Sequence, residues 1–298
     1  VALWDDGDRL GGGRRGGDVA AVVAEAPLRA IPGGFDVDRL REIDARLTAV
    51  EEEEKVRILL AIESGSRAWG FPSPDSDYDC RFLFVRPRDD YLSPWQKRDV
   101  IEHPVEGELD VGGWELGKAL KLLLKGNAVV VEWLTSPIVY RGDGTLREAL
   151  LTLADTFSNR TGVALHYLHL GEKQRRSYFA DGKPVRLKKL FYALRPAAAL
   201  RWLRLHPEAA IAPMHFPTLM AECDPPGGLA ALVEALIARK AETRELGEAP
   251  LPEPIVRFVD EEFALAHATL PTRSPGLDPA ARRAAEDLFR QAVDRHAP

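Results

Sequence analysis

From Asp36 onward, apolar and polar positions recur with periods that name the elements. In VDRLREIDARLTAVEEEE, Leu40, Ile43, Leu47 and Val50 fall at helical spacing and predict an amphipathic helix over 37–54. VRILLAIE (56–63) is a short, apolar, β-branched run that predicts a buried strand. YDCRFLFVR (78–86) predicts a second strand and ELDVGGW (108–114) a third. Between the first two, SRAWGF reads as a helical turn, and PSPDS as a loop whose prolines interrupt any helix. Helices follow over about 115–125 and 127–135, and PIVYR reads as a short extended segment. After Gly144 the pattern is helical almost throughout: 145–155, 160–180, 185–206, 227–245, 253–269 and 278–295. Pro196 is expected to kink the third of these.

Strands first and helices later predict an α+β fold in which a catalytic part is followed by an α-helical part. The expected border divides residues 35–142 from 143–298. Residues 1–34, rich in glycine and without a lasting period, are expected to be a disordered or loosely packed leader. Its GGGRRGG run lacks the Lys-Ser/Thr ending of a phosphate-binding P-loop.

Composition narrows the classes. Hydrophobic residues make up 45% and charged residues 29% of 298, the balance of a globular chain. No apolar run reaches the roughly 18 residues of a transmembrane helix, and the first residues lack a secretory apolar core. Cys80 and Cys223 lie far apart without metal-ligand spacing, so a reducing, cytoplasmic setting is the simplest reading. The net charge of −6 argues against a purely electrostatic nucleic-acid binder. Locally the balance reverses: between Val163 and His206 stand ten Lys/Arg against two acids, which reads either as a site for an anionic ligand or as solvated helix faces.

The candidate chemistry sits in ESGSRAWGFPSPDSDYDC (63–80). Asp77 and Asp79 project from one face of a strand, and two adjacent carboxylates repel unless a cation lies between them or one is protonated. Mg²⁺ takes hard oxygen ligands, and Asp110 at the start of the next strand supplies a third. Three acids on adjacent strands suit a two-metal site. Gly65-Ser66 then has a use, because a tight turn opening into a helix presents backbone N–H groups to a phosphate. Ser66 adds a hydroxyl donor, and Arg67 is placed to pair with phosphate oxygens.

On the predicted helices, Lys173, Lys188 and Arg195 form a second candidate set that neutralises the pyrophosphate leaving group. Tyr192 is read as stacking on a base or packing against a neighbouring helix. His166 and His169, at i and i+3, lack a third metal ligand, which favours a structural or substrate-contacting role. Cys80, on the opposite strand face from Asp79, reads as a small core residue.

Gly65-Ser66, then Asp77-Tyr78-Asp79, then Asp110 resembles the hG[GS]…Dx[DE]…D signature of nucleotidyltransferases related to DNA polymerase β. Longer strings are closer still. ESGSRAWGFPSPDSDYDCRFLFVRP, LDVGGWELGKALKLLLKGN, VEWLTSPIVYR, HYLHLGEKQRRSY and LKKLFYALRPAAALRW resemble, in order, a family of nucleotidyltransferases of an RNA repair pathway. The resemblance covers most of residues 40–205. It implies a minimal nucleotidyltransferase fold with a short mixed β-sheet and a helical C-terminal region. It also implies transfer of a nucleoside monophosphate from an NTP with release of pyrophosphate, supported by two Mg²⁺ ions on Asp77, Asp79 and Asp110. Gly65 and Ser66 match the phosphate-binding turn. The acceptor stays open between an RNA end and a side-chain hydroxyl of a partner protein, and a third reading is a nucleotide-binding module without turnover.

Overall fold

The structure, a computed structural model, describes residues 26–298 apart from 106, 158, 180–184 and 244–246. The first part of the chain runs β1 (Pro27–Ala30), α1 (Val37–Glu54), β2 (Arg57–Glu63), β3 (Tyr78–Val85), α2 (Arg88–Leu92), β4 (Val100–Glu102) and β5 (Leu109–Glu115). It continues as α3 (Leu116–Leu124), α4 (Ala128–Thr135), β6 (Val139–Asp143) and α5 (Gly144–Thr156). The helical part holds α6 (Arg160–Tyr178), the two-residue β7 (Val185–Arg186), a 3-10 turn (Leu187–Lys189) and α7 (Leu190–Leu205). After these come α8 (Phe216–Glu222), α9 (Leu229–Glu242), β8 (Glu248–Ala249), α10 (Glu253–Thr269) and α11 (Pro279–His296).

Six strands form one mixed sheet in the order β1-β6-β2-β3-β5-β4, in which β3 and β5 run parallel and the other pairs antiparallel. The two-residue period of β3 sends Phe82 and Phe84 to one face, against Ile43, Leu47 and Val50 of α1. Leu83 and Val85 go to the other face, against α3, α4, α5 and α11. A separate core joins α6 through α10 and takes in Phe71 and Ala128 from the first part. The Phe71 ring stacks on Phe191 at 4.7 Å and meets Phe216 edge-on at 5.7 Å, so the segment after the Gly65-Ser66 turn is anchored in the helical part.

The α+β class and its mixed sheet are as expected, and several elements depart from the pattern. Of the expected leader, residues 1–25 lie outside the described residues, and Pro27–Ala30 pairs with β6 as an edge strand. Four residues carry no period, and the partner lies more than 100 positions away. The predicted helix over 185–206 begins as a strand and a 3-10 turn, with α7 starting at Leu190. Pro196 sits inside α7, which runs on to Leu205. The short α2, β4 and α8 are additions. The sheet's core also draws in α5 and α11, both from beyond the expected border at 142/143. Among the described residues, no helix is long and apolar enough to cross a membrane.

Candidate active site

β2 ends in Glu63, whose carboxyl is wholly buried. Its Oε1 accepts the backbone N–H of Gly65 at 3.1 Å and that of Asp79 at 3.0 Å, and its Oε2 accepts the Tyr140 hydroxyl. Ser64 N–H closes the link by donating to the Asp79 carbonyl at 2.9 Å. One buried carboxylate therefore fixes both the turn and the start of β3. Burial pushes it up to about 6 against the lowering effect of these hydrogen bonds. Glu63→Leu removes both acceptors and is expected to lower turnover about 10–100-fold, as the loss of an outer partner of a ligand does. Glu63→Gln keeps an acceptor oxygen and is expected to retain activity within several-fold; steady-state rates of the two variants check this.

Across the parallel register, Asp79 stands opposite Asp110. A Cβ on Gly65 would meet Asp79 Oδ2 at 1.8 Å and Asp79 Cβ at 3.0 Å, so the bare backbone lies directly against this carboxylate. The Asp79 carboxyl is raised above its ordinary value, first by burial, with the charges of Asp110 and Asp77 adding to it and those of Arg81 and Arg67 opposing. Arg81 lies two residues along the same strand face. Its Nη2 is 2.6 Å from Asp110 Oδ2 and 3.7 Å from Asp79 Oδ1. It is thus the countercharge between two acids that would otherwise repel. Sequence reading passed over it, although the i, i+2 offset from Asp79 places it on the acid-bearing face.

Among the described residues, no group of three or more His, Cys, Asp or Glu is arranged to hold a metal ion. Asp77 and Asp110 act electrostatically on Asp79, and the three offer carboxylate oxygens, the donor type that a hard divalent cation takes. Seating a cation there requires the Arg81–Asp110 pair to open.

The turn is held from several sides. Ser66 Oγ donates to Ser76 Oγ at 2.9 Å, and the latter accepts the N–H of Ser73 at 2.8 Å. Arg67 donates to the carbonyls of Ser76 at 2.6 Å and Asp77 at 3.3 Å, with its guanidinium 3.8 Å from the Tyr78 ring centre. Arg67 thus braces the acid-bearing loop. From α9, the buried Lys240 reaches the Phe71 carbonyl at 2.6 Å and Ser73 Oγ at 3.4 Å. Burial pushes its ammonium down to about 8, with Lys188 and Arg67 also lowering it and Asp75 opposing. Three cations thus gather around the loop that follows the turn.

Lys240 gives stability a pH dependence. Unfolding returns its value from about 8 to the usual 10.5, so between those limits the unfolded chain binds more protons and native stability rises with pH. Relative to Lys240→Met, the wild type is expected to gain on the order of 1 kcal/mol across that window after solvent screening. Urea melts at pH 7.5 and about 10 read the difference.

Tyr192 of α7 faces the acids. Its hydroxyl is raised first by burial, then by Asp79, Tyr178 and Asp77. Lys189 Nζ lies 4.8 Å and 4.9 Å from the Tyr178 and Tyr192 ring centres, and Trp69 meets Tyr192 at 6.2 Å. The helical part therefore presents a cationic, aromatic wall to the carboxylates, in which Tyr178 and Lys189 are additions to the sequence reading.

Two other candidates stand elsewhere. Lys173 is exposed on α6 and makes none of the described contacts with this cluster. Arg195 is 4% exposed and pairs with Glu132 at 2.8 Å, which also accepts the Tyr167 hydroxyl at 3.0 Å. Its guanidinium lies 4.8 Å from the Trp69 ring. Helical spacing aligned 188, 192 and 195, but α7 starts only at Leu190 and its second turn is interior, so Arg195 is a core ion pair. His166 accepts the Ala128 N–H at 2.8 Å and serves α4.

The arginines of the 163–206 surplus are likewise occupied within the fold. Arg175 pairs with Asp260, Arg201 and Arg204 share Glu262, and Arg186 faces Glu248.

The family model described as RlaP, RNA repair pathway DNA polymerase beta family, matches residues 40–291. A protein of Bacillus subtilis (strain 168) named "Uncharacterized protein YcgL" is 41% identical over 217 residues, which make up 73% of this chain and 82% of that protein.

Proposed function

Because the chain belongs to the RNA repair pathway DNA polymerase beta family, we propose that it is a nucleotidyltransferase moving a nucleoside monophosphate from an NTP to an acceptor hydroxyl. The acceptor oxygen forms a bond to the α-phosphorus as the bond to the bridging oxygen breaks, and pyrophosphate leaves. A divalent pair such as Mg²⁺, held by Asp77, Asp79 and Asp110, would supply an acidified hydroxyl and offset the triphosphate charge. Asp110, released from Arg81, takes up the acceptor's proton. Ser66 and the cations Lys188 and Lys240 border the triphosphate tail, where positive charge favours the leaving group. Tyr192 lies where a base can stack.

The observation that carries this reading is the close fit of Gly65 against Asp79, with Asp110 in register beside it. The family's description favours an RNA end as the acceptor. Incubating purified protein with each α-labelled NTP and Mg²⁺, with and without short RNA, tests it. Label on RNA with matching pyrophosphate is the expected result. Label on protein moves the acceptor to a side-chain hydroxyl. Saturable NTP binding without any labelled product overturns transfer.

A further inference from the structure

At the far end of the strands from the acids, α3, α11 and the segment 93–99 enclose a groove of about 890 Å³. Arg86 and Glu115, which follow β3 and end β5, lie at its edge. Val85 lies six positions beyond Asp79, so at about 3.3 Å per residue the groove begins roughly 20 Å from the carboxylates. Its walls carry eight Lys or Arg against four Asp or Glu, in a chain whose net charge is −6.

Some of that charge is already matched. Lys97 pairs with Asp90, Arg98 with Glu102, Lys118 with Asp99, Arg282 with Glu286 and Arg290 with Asp287. Glu115 accepts the Tyr91 hydroxyl at 2.9 Å and caps α3 through Lys118 N–H at 3.1 Å. What remains is directional. Lys118, Lys121 and Lys125 fall at i, i+3 and i+7 along one side of α3. Lys121 and Lys125 are exposed and have no carboxylate partner among the described residues. The segment 93–99 adds Trp95, which is 83% exposed and next to the lining residues Gln96 and Lys97. The floor between the cations is apolar, formed by Leu120, Leu124 and Phe289.

We infer that this groove docks a single strand of RNA, with phosphates along the α3 lysines and a base on Trp95, and that the strand runs on to present its end to the acids. A row of cations along α3, of which Lys121 and Lys125 have no carboxylate partner among the described residues, fits a repeating phosphate, and an exposed indole fits a base of any sequence. The inference rests on the RNA-acceptor reading above. It places the RNA-binding surface on α3 rather than on the arginines of 163–206, which are internally paired.

Fluorescence anisotropy of a labelled 12-nucleotide RNA with the full chain, without NTP and across a salt series, tests the groove. Lys121→Glu/Lys125→Glu is expected to weaken binding about tenfold or more near 0.1 M salt and to flatten the salt slope by about 1.4, from two lost phosphate contacts. Trp95→Ala is expected to cost about fivefold or more with the slope unchanged. All three substituted side chains are exposed, so the fold is retained, which circular dichroism verifies. Failure of the wild type to bind RNA, wild-type affinity in these variants, or tighter binding of single-stranded DNA or an acidic peptide overturns the inference. RNA that binds through these residues without becoming labelled leaves the docking surface standing and removes the transfer reading. RNA labelled equally by wild type and the lysine variant does the reverse.

Discussion

Asp79→Asn is expected to abolish nucleotide transfer, lowering the rate by at least 10²–10³-fold, while the protein remains folded. The amide keeps the carboxylate's shape, and the backbone bonds of residue 79 to Glu63 and Ser64 do not involve its side chain. What disappears is the charge. Asp79 is held above its ordinary value by burial and by the neighbouring Asp110 and Asp77, so neutralising it removes a cost of folding. A melting temperature equal to or slightly above that of the wild type should accompany the lost activity. Single-turnover assays with labelled NTP, beside thermal melts, separate the two effects. Wild-type turnover in this variant would reject the three-acid scheme.

Gly65→Ala is expected to cost about 10²-fold in turnover, the scale of an ångström-sized misplacement at a reacting centre. The φ angle of Gly65 lies outside the left-handed range, so alanine meets no backbone penalty. The added methyl instead collides with Asp79, 1.8 Å from Oδ2 and 2.7 Å from Cγ. Relieving that contact requires the Asp79 carboxylate or the turn to shift from its present position. The expected signature is near-native stability with a fall in kcat, and weaker Mn²⁺ binding measured without nucleotide. Gly70 and Gly126 behave differently, since both have φ above +80° and a substitution there strains the chain itself.

Much of this site was legible in sequence because its signals are local. Period-two alternation located β3, but the strand begins at Tyr78, so Asp77 stands exposed just before it rather than on the strand with Asp79. The flanking turn followed from Gly65 and the prolines after it. The features that escaped are long-range. Arg195 finds Glu132 across 63 positions, Arg201 finds Glu262 across 61, and Arg175 finds Asp260 across 85. Along the chain these arginines look like a free basic run, and only the packed helices reveal their partners. Lys240 reaches the Phe71 carbonyl from 169 residues away. Glu63 lay in plain view at the head of the motif, but a carboxylate ending an apolar strand does not disclose that two N–H groups and a phenol surround it.

The route of α11 has a consequence for biosynthesis. Its Ala281, Ala285, Leu288, Ala292 and Val293 cover the same sheet face as Leu116 and Leu120 of α3. The helices of the other core thus enter as a long insertion between α5 and α11, and the sheet body is discontinuous in sequence. During translation, the strands bearing the acids emerge early, but their outer apolar layer stays incomplete until residues 279–296 leave the ribosome. A nascent chain halted before that point would expose the greasy underside of α3, which makes it a client for chaperones rather than a working half-enzyme.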